Sequence, residues 1–135
     1  MIFLDTTFLV DILRKDPAAL SWLKDSEEVA LYTSEINAFE LYTGLFRLSK
    51  KSESSLRKRR MELEQVLTRT EVLPFERAAA LEAGKILADL LKQGTPIGSR
   101  DVMIAGISLA NGMHRILTRN VKHFKAIRQI IVESY

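Results

Sequence analysis

Three carboxylates stand out in this sequence by where they fall. Asp5 closes the opening apolar run of MIFLDTTFLVDIL, Glu40 is the lone charge in INAFELYTGLF, and Asp101 lies just inside SRDVMIAG. Each has a plain reading: Asp5 caps the following helix, Asp101 is a first-turn acid favoured by the helix dipole, and Glu40 is a surface residue. The apolar flanks of Glu40 argue against the last, because charged side chains are almost never buried unless paired or coordinated. A shared partner would satisfy all three. Like charges raise one another's pKa when gathered without a cation, and a hard divalent ion reverses that sign. Mg²⁺ and Mn²⁺ prefer oxygen ligands, and Mg²⁺ keeps several waters while binding one or two carboxylates plus a phosphate. Such an ion clamps a scissile phosphate and activates a water for in-line attack.

A sheet edge is what could gather these residues. Ile2–Leu4 reads as a buried strand, followed by helices over Thr7–Arg14 and Asp16–Lys24. Val29–Tyr32 is a second strand, and Ser34 is the N-cap of a long helix carrying Glu40. A charged helix over Ser54–Thr68 leads to a strand at Glu71–Leu73, an amphipathic helix over Phe75–Gln93 and its stop at Gly94. Ser99 caps a helix to Asn111. A strand at Arg115–Thr118, one helical turn at Val121–Phe124 and a strand at Gln129–Val132 complete the alternation. Strands alternating with helices through short connections give a small parallel sheet of four or five strands covered by helices, an α/β fold with helix in the majority. Ligands bind such sheets at the carboxyl ends of the strands, near a topological switch point. Asp5 follows the first strand immediately, and Thr118 and Asn120 come at the end of the Arg115–Leu117 run, so all three belong on that edge.

The 135 residues amount to one domain over 1–135. The chain lacks cysteine, which excludes disulfides, Cys-based zinc sites and thiol nucleophiles. That fits a cytoplasmic protein, as do the absence of a basic, apolar leader and of any membrane-length apolar run. Net charge is only +3. Lys50, Lys51, Arg57, Lys58, Arg59 and Arg60 nevertheless crowd together. They form either a solvated helix face or an edge that contacts phosphate. KKSESS, at 50–55, is a helix–helix turn too short to divide domains.

In order and spacing, the motifs resemble a PIN-domain nuclease of the VapC type, the toxins of prokaryotic toxin–antitoxin pairs. FLDTTFLVDIL resembles the family's opening strand, aspartate, hydroxyl residue and helix. SEINAFELYTGL resembles its second motif, and IGSRDVMIAGISLANGMHRILTRNVKHF its third and fourth run together. The resemblance implies a PIN-like fold, a metal site at Asp5, Glu40 and Asp101, and a hydroxyl at Thr6 beside the first aspartate. It places Thr118 and Asn120 near the site. It further implies Mg²⁺- or Mn²⁺-dependent ribonuclease activity, a homodimer and a small inhibitory antitoxin, with DNA reached only through that partner and no membrane. One position departs. Many relatives carry a fourth acid where this chain has His123, which makes a second metal doubtful and leaves His123 as a phosphate contact, a proton shuttle or a surface residue.

Expected roles follow. Asp5 and Asp101 ligate the ion, Glu40 does so directly or through water, and Thr118 and Asn120 orient the water or a phosphate oxygen. Arg47, Lys50, Lys51, Arg100 and Arg119 are candidates for RNA phosphate contacts, with Arg100 and Arg119 favoured because they flank the site in sequence. Phe8, Leu9, Ile12, Trp22, Leu41, Leu45 and Phe46 exceed the needs of one small core, and part of that surplus should form a groove for a partner segment. The rival reading is a catalytically weak PIN-like module that binds RNA or protein and cuts nothing.

Overall fold

The computed structural model describes residues 1–48, 52–95 and 97–135. Lys50 and Lys51 lie outside the described residues. Among the described residues the chain runs β1 (Ile2–Leu4), α1 (Thr6–Leu13), α2 (Pro17–Asp25), β2 (Leu31–Ser34), α3 (Glu35–Phe46), α4 (Glu53–Thr68), β3 (Glu71–Leu73), α5 (Arg77–Lys92), α6 (Ser99–Ala110), β4 (Arg115–Leu117), α7 (Val121–Lys125) and β5 (Ile131–Glu133).

The five strands form one sheet in the order β3-β2-β1-β4-β5, with every neighbouring pair parallel. After β1 the chain steps outward through β2 to β3, then returns to the other side of β1 for β4 and β5. The reversal puts the topological switch point between β1 and β4, where crevices form in such sheets. β1 is the central strand, and all three of its residues are buried. Its continuous apolar run is what burial on both faces demands. Side chains alternate across a strand. Phe3 therefore enters the layer with α5 and α6, while Ile2 and Leu4 enter the layer with α1, α3 and α4.

Local chemistry sets the helix ends. Asp16 accepts from the Ala19 amide at 3.1 Å to cap α2, with Pro17 just inside. Ser34 caps α3 through the Asn37 amide at 3.3 Å, and such caps contribute about 1 kcal/mol each. Gly94 and Gly112 take positive φ, +68° and +75°, just past α5 and α6. There the amides of Thr95 and Met113 reach back to the carbonyls of Leu90 and Ser108. This is the left-handed C-terminal stop that favours glycine.

The structure moves several sequence-based boundaries, most by a residue or two. β2 runs to Ser34, not Tyr32, because Thr33 and Ser34 are fully buried polar residues paired with Val72 and Leu73. Thr33 Oγ1 donates to the Leu4 carbonyl at 2.9 Å, which removes the penalty for burying its hydroxyl. α6 is capped by Gly98, and Ser99 is already helical. The last strand begins at Ile131, after two residues of turn.

Candidate active site

Asp5 sits where β1 gives way to α1, on the carboxyl edge at the switch point. It occupies the N-cap position of α1, yet its carboxylate makes no capping bond. The helix start is served instead by the Asp5 carbonyl, which accepts from the Phe8 and Leu9 amides. The side chain, 5% exposed, is held by hydroxyls. Thr118 Oγ1 donates to Asp5 Oδ2 at 2.7 Å, and Thr7 Oγ1 stands 3.2 Å from the same oxygen and 3.1 Å from Thr118 Oγ1. Each hydroxyl has one proton. The shorter bond assigns Thr118's proton to Asp5, so Thr7's is shared between Asp5 and Thr118. The amides of Arg119 and Asn120 then donate to Thr7 Oγ1 and Thr118 Oγ1, each at 3.0 Å. The turn after β4 is thereby fastened to the start of α1 around one carboxylate.

Glu40 projects from α3 toward Asp5. Thr6 Oγ1 donates to Glu40 Oε1 at 2.7 Å and accepts from Asn37 Nδ2 at 3.0 Å. The hydroxyl expected beside the first aspartate thus serves the glutamate, and Thr7 serves the aspartate. Arg100 Nε lies 3.9 Å from Glu40 Oε2, a loose pair. Burial is the main cause that pushes the Glu40 carboxyl upward, opposed by the Thr6 bond and reinforced by the Asp5 charge. Asp101, in the first turn of α6, is also pushed upward, first by burial, with the His123 charge opposing and Asp5 adding to it. His123 Nδ1 lies 2.9 Å from Asp101 Oδ2.

Asp5, Thr6, Thr7, Glu40, Gly98, Ser99, Arg100, Asp101, Asn120 and His123 line one cavity of about 470 Å³. The three carboxylates therefore face a common space, and burial and mutual repulsion both favour a cation there. Among the described residues no three His, Asp or Glu side chains converge closely enough to hold a metal by themselves. A Mg²⁺-like ion suits that spacing, because it keeps several waters and takes few carboxylates. The oxygen-rich wall fits such a hard ion.

Not every expected residue reaches the cavity. Thr118 is fully buried behind Asp5, and its hydroxyl is spent on that carboxylate. Arg119 turns away: its Nη1 bonds Asp11 Oδ1 at 3.0 Å. Asp11, 4% exposed, also accepts from the Tyr135 hydroxyl at 2.6 Å. Burial first, then Asp11, pushes the Tyr135 phenol upward. Asn37, Thr7 and Asp11 escaped sequence reasoning. The one available signal was polarity inside otherwise apolar runs, the same signal that found Glu40.

Beside the cavity, α1, α3 and α4 leave a groove of about 310 Å³, walled by Val10, Leu13, Leu41, Leu45, Leu48 and Leu63 with Arg14, Arg59 and Glu62. Glu40 borders both spaces. Of the apolar surplus, Phe8, Leu9, Leu41 and Leu45 are buried, Ile12 and Trp22 are half-buried and Phe46 is 57% exposed.

Comparison with known proteins gives the family and the fold. The family model described as PIN domain matches residues 2–129. A tRNA(fMet)-specific endonuclease VapC from Salmonella typhimurium is 30% identical over 134 residues, spanning 98% of this chain and 96% of that protein. The protein of the same name from Shigella flexneri is 29% identical over 132 residues, with the same coverage of 98% and 96%. Among solved structures, VapBC2 from Rickettsia felis bound to a DNA fragment from their promoter superposes with a TM-score of 0.85 at 27% identity, over 100% of this chain and 99% of that one.

Proposed function

The chain belongs to the PIN domain family, and from that premise we propose that it is a divalent-metal-dependent endoribonuclease, the VapC-type toxin of a toxin–antitoxin pair. The observation that carries the reading is the cavity at the switch point, where Asp5, Glu40 and Asp101 arrive from three separate elements. Those carboxylates would hold Mg²⁺ or Mn²⁺, which when bound polarises a phosphodiester and acidifies a water.

The chain's own residues do the rest. Thr118 and Thr7 hold the carboxylate of Asp5 in place, so it would take up an ion without reorganising. Thr6, anchored by Asn37, does the same for Glu40. Asn120 stands in the cavity wall, where its amide can orient a water or a phosphate oxygen. Arg100 is the cation of the wall, suited to an RNA phosphate. Arg119 is a positioning residue, because it ties the turn after β4 to Asp11.

The groove supports the partner. An amphipathic helix from a small antitoxin would lay its apolar face on α1, α3 and α4. Because Glu40 borders both spaces, a segment seated in the groove would lie beside the cavity. The chain would act as a homodimer and reach DNA only through the antitoxin.

The test is cleavage of a structured RNA pool spiked with initiator tRNA, in Mg²⁺, in Mn²⁺ and in EDTA, beside Asp101→Asn. Metal-dependent cutting should fall on the order of a thousandfold in the variant. Absence of cutting by folded, partner-free protein under every condition overturns the reading. The Asp101–His123 contact favours the second reading, a module that binds and does not cut, because it engages a carboxylate that the ion needs. His123→Asp would then restore metal-dependent cleavage to a silent wild type.

A further inference from the structure

We propose that the exposed ring of Phe39, lying under the Arg100 guanidinium, is a stacking subsite for an unpaired nucleobase next to the scissile phosphate, and so selects where RNA is cut. The inference rests on the ribonuclease reading and extends it to a residue outside the acidic cavity.

Phe39 precedes Glu40 on α3, and successive helical residues point about 100° apart. Glu40 turns into the cavity while Phe39 turns outward, 56% exposed. The ring belongs to neither apolar cluster of the fold, both of which take Leu41 or Ile36 from the same helix instead. The Arg100 guanidinium carbon lies 6.0 Å over the ring centroid, and Arg100 Nε lies 3.9 Å from Glu40 Oε2. A single guanidinium thus stands between the ring and a cavity carboxylate.

Isolated exposed apolar residues are ordinary, but this one has a particular setting. A cation–π contact at an exposed site is weaker than the burial the ring forgoes. The fold gains little from leaving it in water, and a ligand can gain much. Unpaired RNA bases are recognised by stacking on aromatic rings and guanidinium planes. Every base has a π face, so stacking tolerates sequence, and purines cover more of the ring. A nucleotide entering here is held at two points, its phosphate by Arg100 and its base by Phe39. The neutral contact also matters beside three carboxylates, where the RNA backbone is repelled.

The test uses the full chain, Phe39→Ala, Phe39→Trp and a short single-stranded RNA that the wild type cuts. Matched RNAs carry an abasic nucleotide on either side of the scissile bond. Phe39→Ala should lower kcat/KM about tenfold on the intact RNA, within the roughly 5- to 140-fold that corresponds to stacking on one base. One abasic position should cost the wild type a similar factor and cost Phe39→Ala nothing further, the signature of a coupled pair. Phe39→Trp should keep the wild-type rate. Independent, additive losses overturn the subsite, as does a normal rate in Phe39→Ala. A change in oligomeric mass in Phe39→Ala, with equal losses on every RNA, assigns the ring to a contact between copies of this chain and also overturns it. A wild type that cuts no RNA rejects the ribonuclease reading itself, a result separate from any behaviour of the variants.

Discussion

The two helical layers over the sheet are built to different standards. Where α5 meets α6, a Cβ added at Gly106 would stand 2.6 Å from the Ala79 carbonyl oxygen and 2.8 Å from Ala83 Cβ, so no methyl group fits. On the opposite face α1, α3 and α4 leave a groove of about 310 Å³ and an exposed Phe46. The closed layer, at the seam between α5 and α6, admits no methyl group, whereas the open layer opposite keeps an apolar-walled groove. The candidate site draws on both: Asp101 rides on α6, Glu40 on α3, and Asp5 on the sheet between them. Its geometry therefore depends on a rigid layer and an adaptable one held in register.

The largest effect should come from filling the closed layer. Gly106→Val drives a branched side chain against backbone, which cannot rotate away. Overpacking of this kind costs about 1–3 kcal/mol or more, a large share of a typical total of about 5–15 kcal/mol. The urea midpoint should fall steeply. An unshifted midpoint would mean that α5 can retreat from α6 and that the layers do not differ. A smaller effect is expected in the open layer. Leu48→Ala removes apolar surface from a groove wall that water already reaches, and should cost under about 1 kcal/mol. A loss of several kcal/mol there would show the groove to be core.

The sequence disclosed the carboxylates that line the cavity better than it disclosed what braces them. Asp5, Glu40 and Asp101 were each out of place locally, at a strand end, in an apolar helix and at a helix start, and local oddity is readable. The parallel sheet was readable too, since strand and helix periods alternate. Thr7 was not, because its meaning lies in Thr118, 111 residues away. Asp11 was equally hidden: its partners Arg119 and Tyr135 come from far along the chain, and a single acid in an amphipathic helix usually faces water. Thr33 and Ser34 were missed as strand because polarity ended the apolar run, although both are buried with partners. The apolar surplus was visible, with the exposed Phe46 in it, but the equally exposed Phe39 was not singled out.

The smallest effect concerns the acids that join the two layers. Burial pushes Glu40 above its ordinary 4.5 and Asp101 above its ordinary 3.8. The folded chain therefore binds these protons more tightly than the unfolded chain. Stability rises with pH only where the unfolded state holds more protons, so these two groups work in the reverse sense. Their ionisation costs stability as pH climbs from the ordinary carboxylate range through the raised values. In EDTA, Asp101→Asn should melt slightly above the wild type at pH 7, and the difference should close as pH falls below about 4. Mn²⁺ at pH 7 should raise the wild-type midpoint and leave the variant nearly unmoved, since a ligand that binds only the folded state stabilises it. A variant that melts below the wild type in EDTA would instead show that the His123 contact outweighs the burial of Asp101. The acids would then bind α6 and α7 together, and the cavity would need no cation to settle its charge.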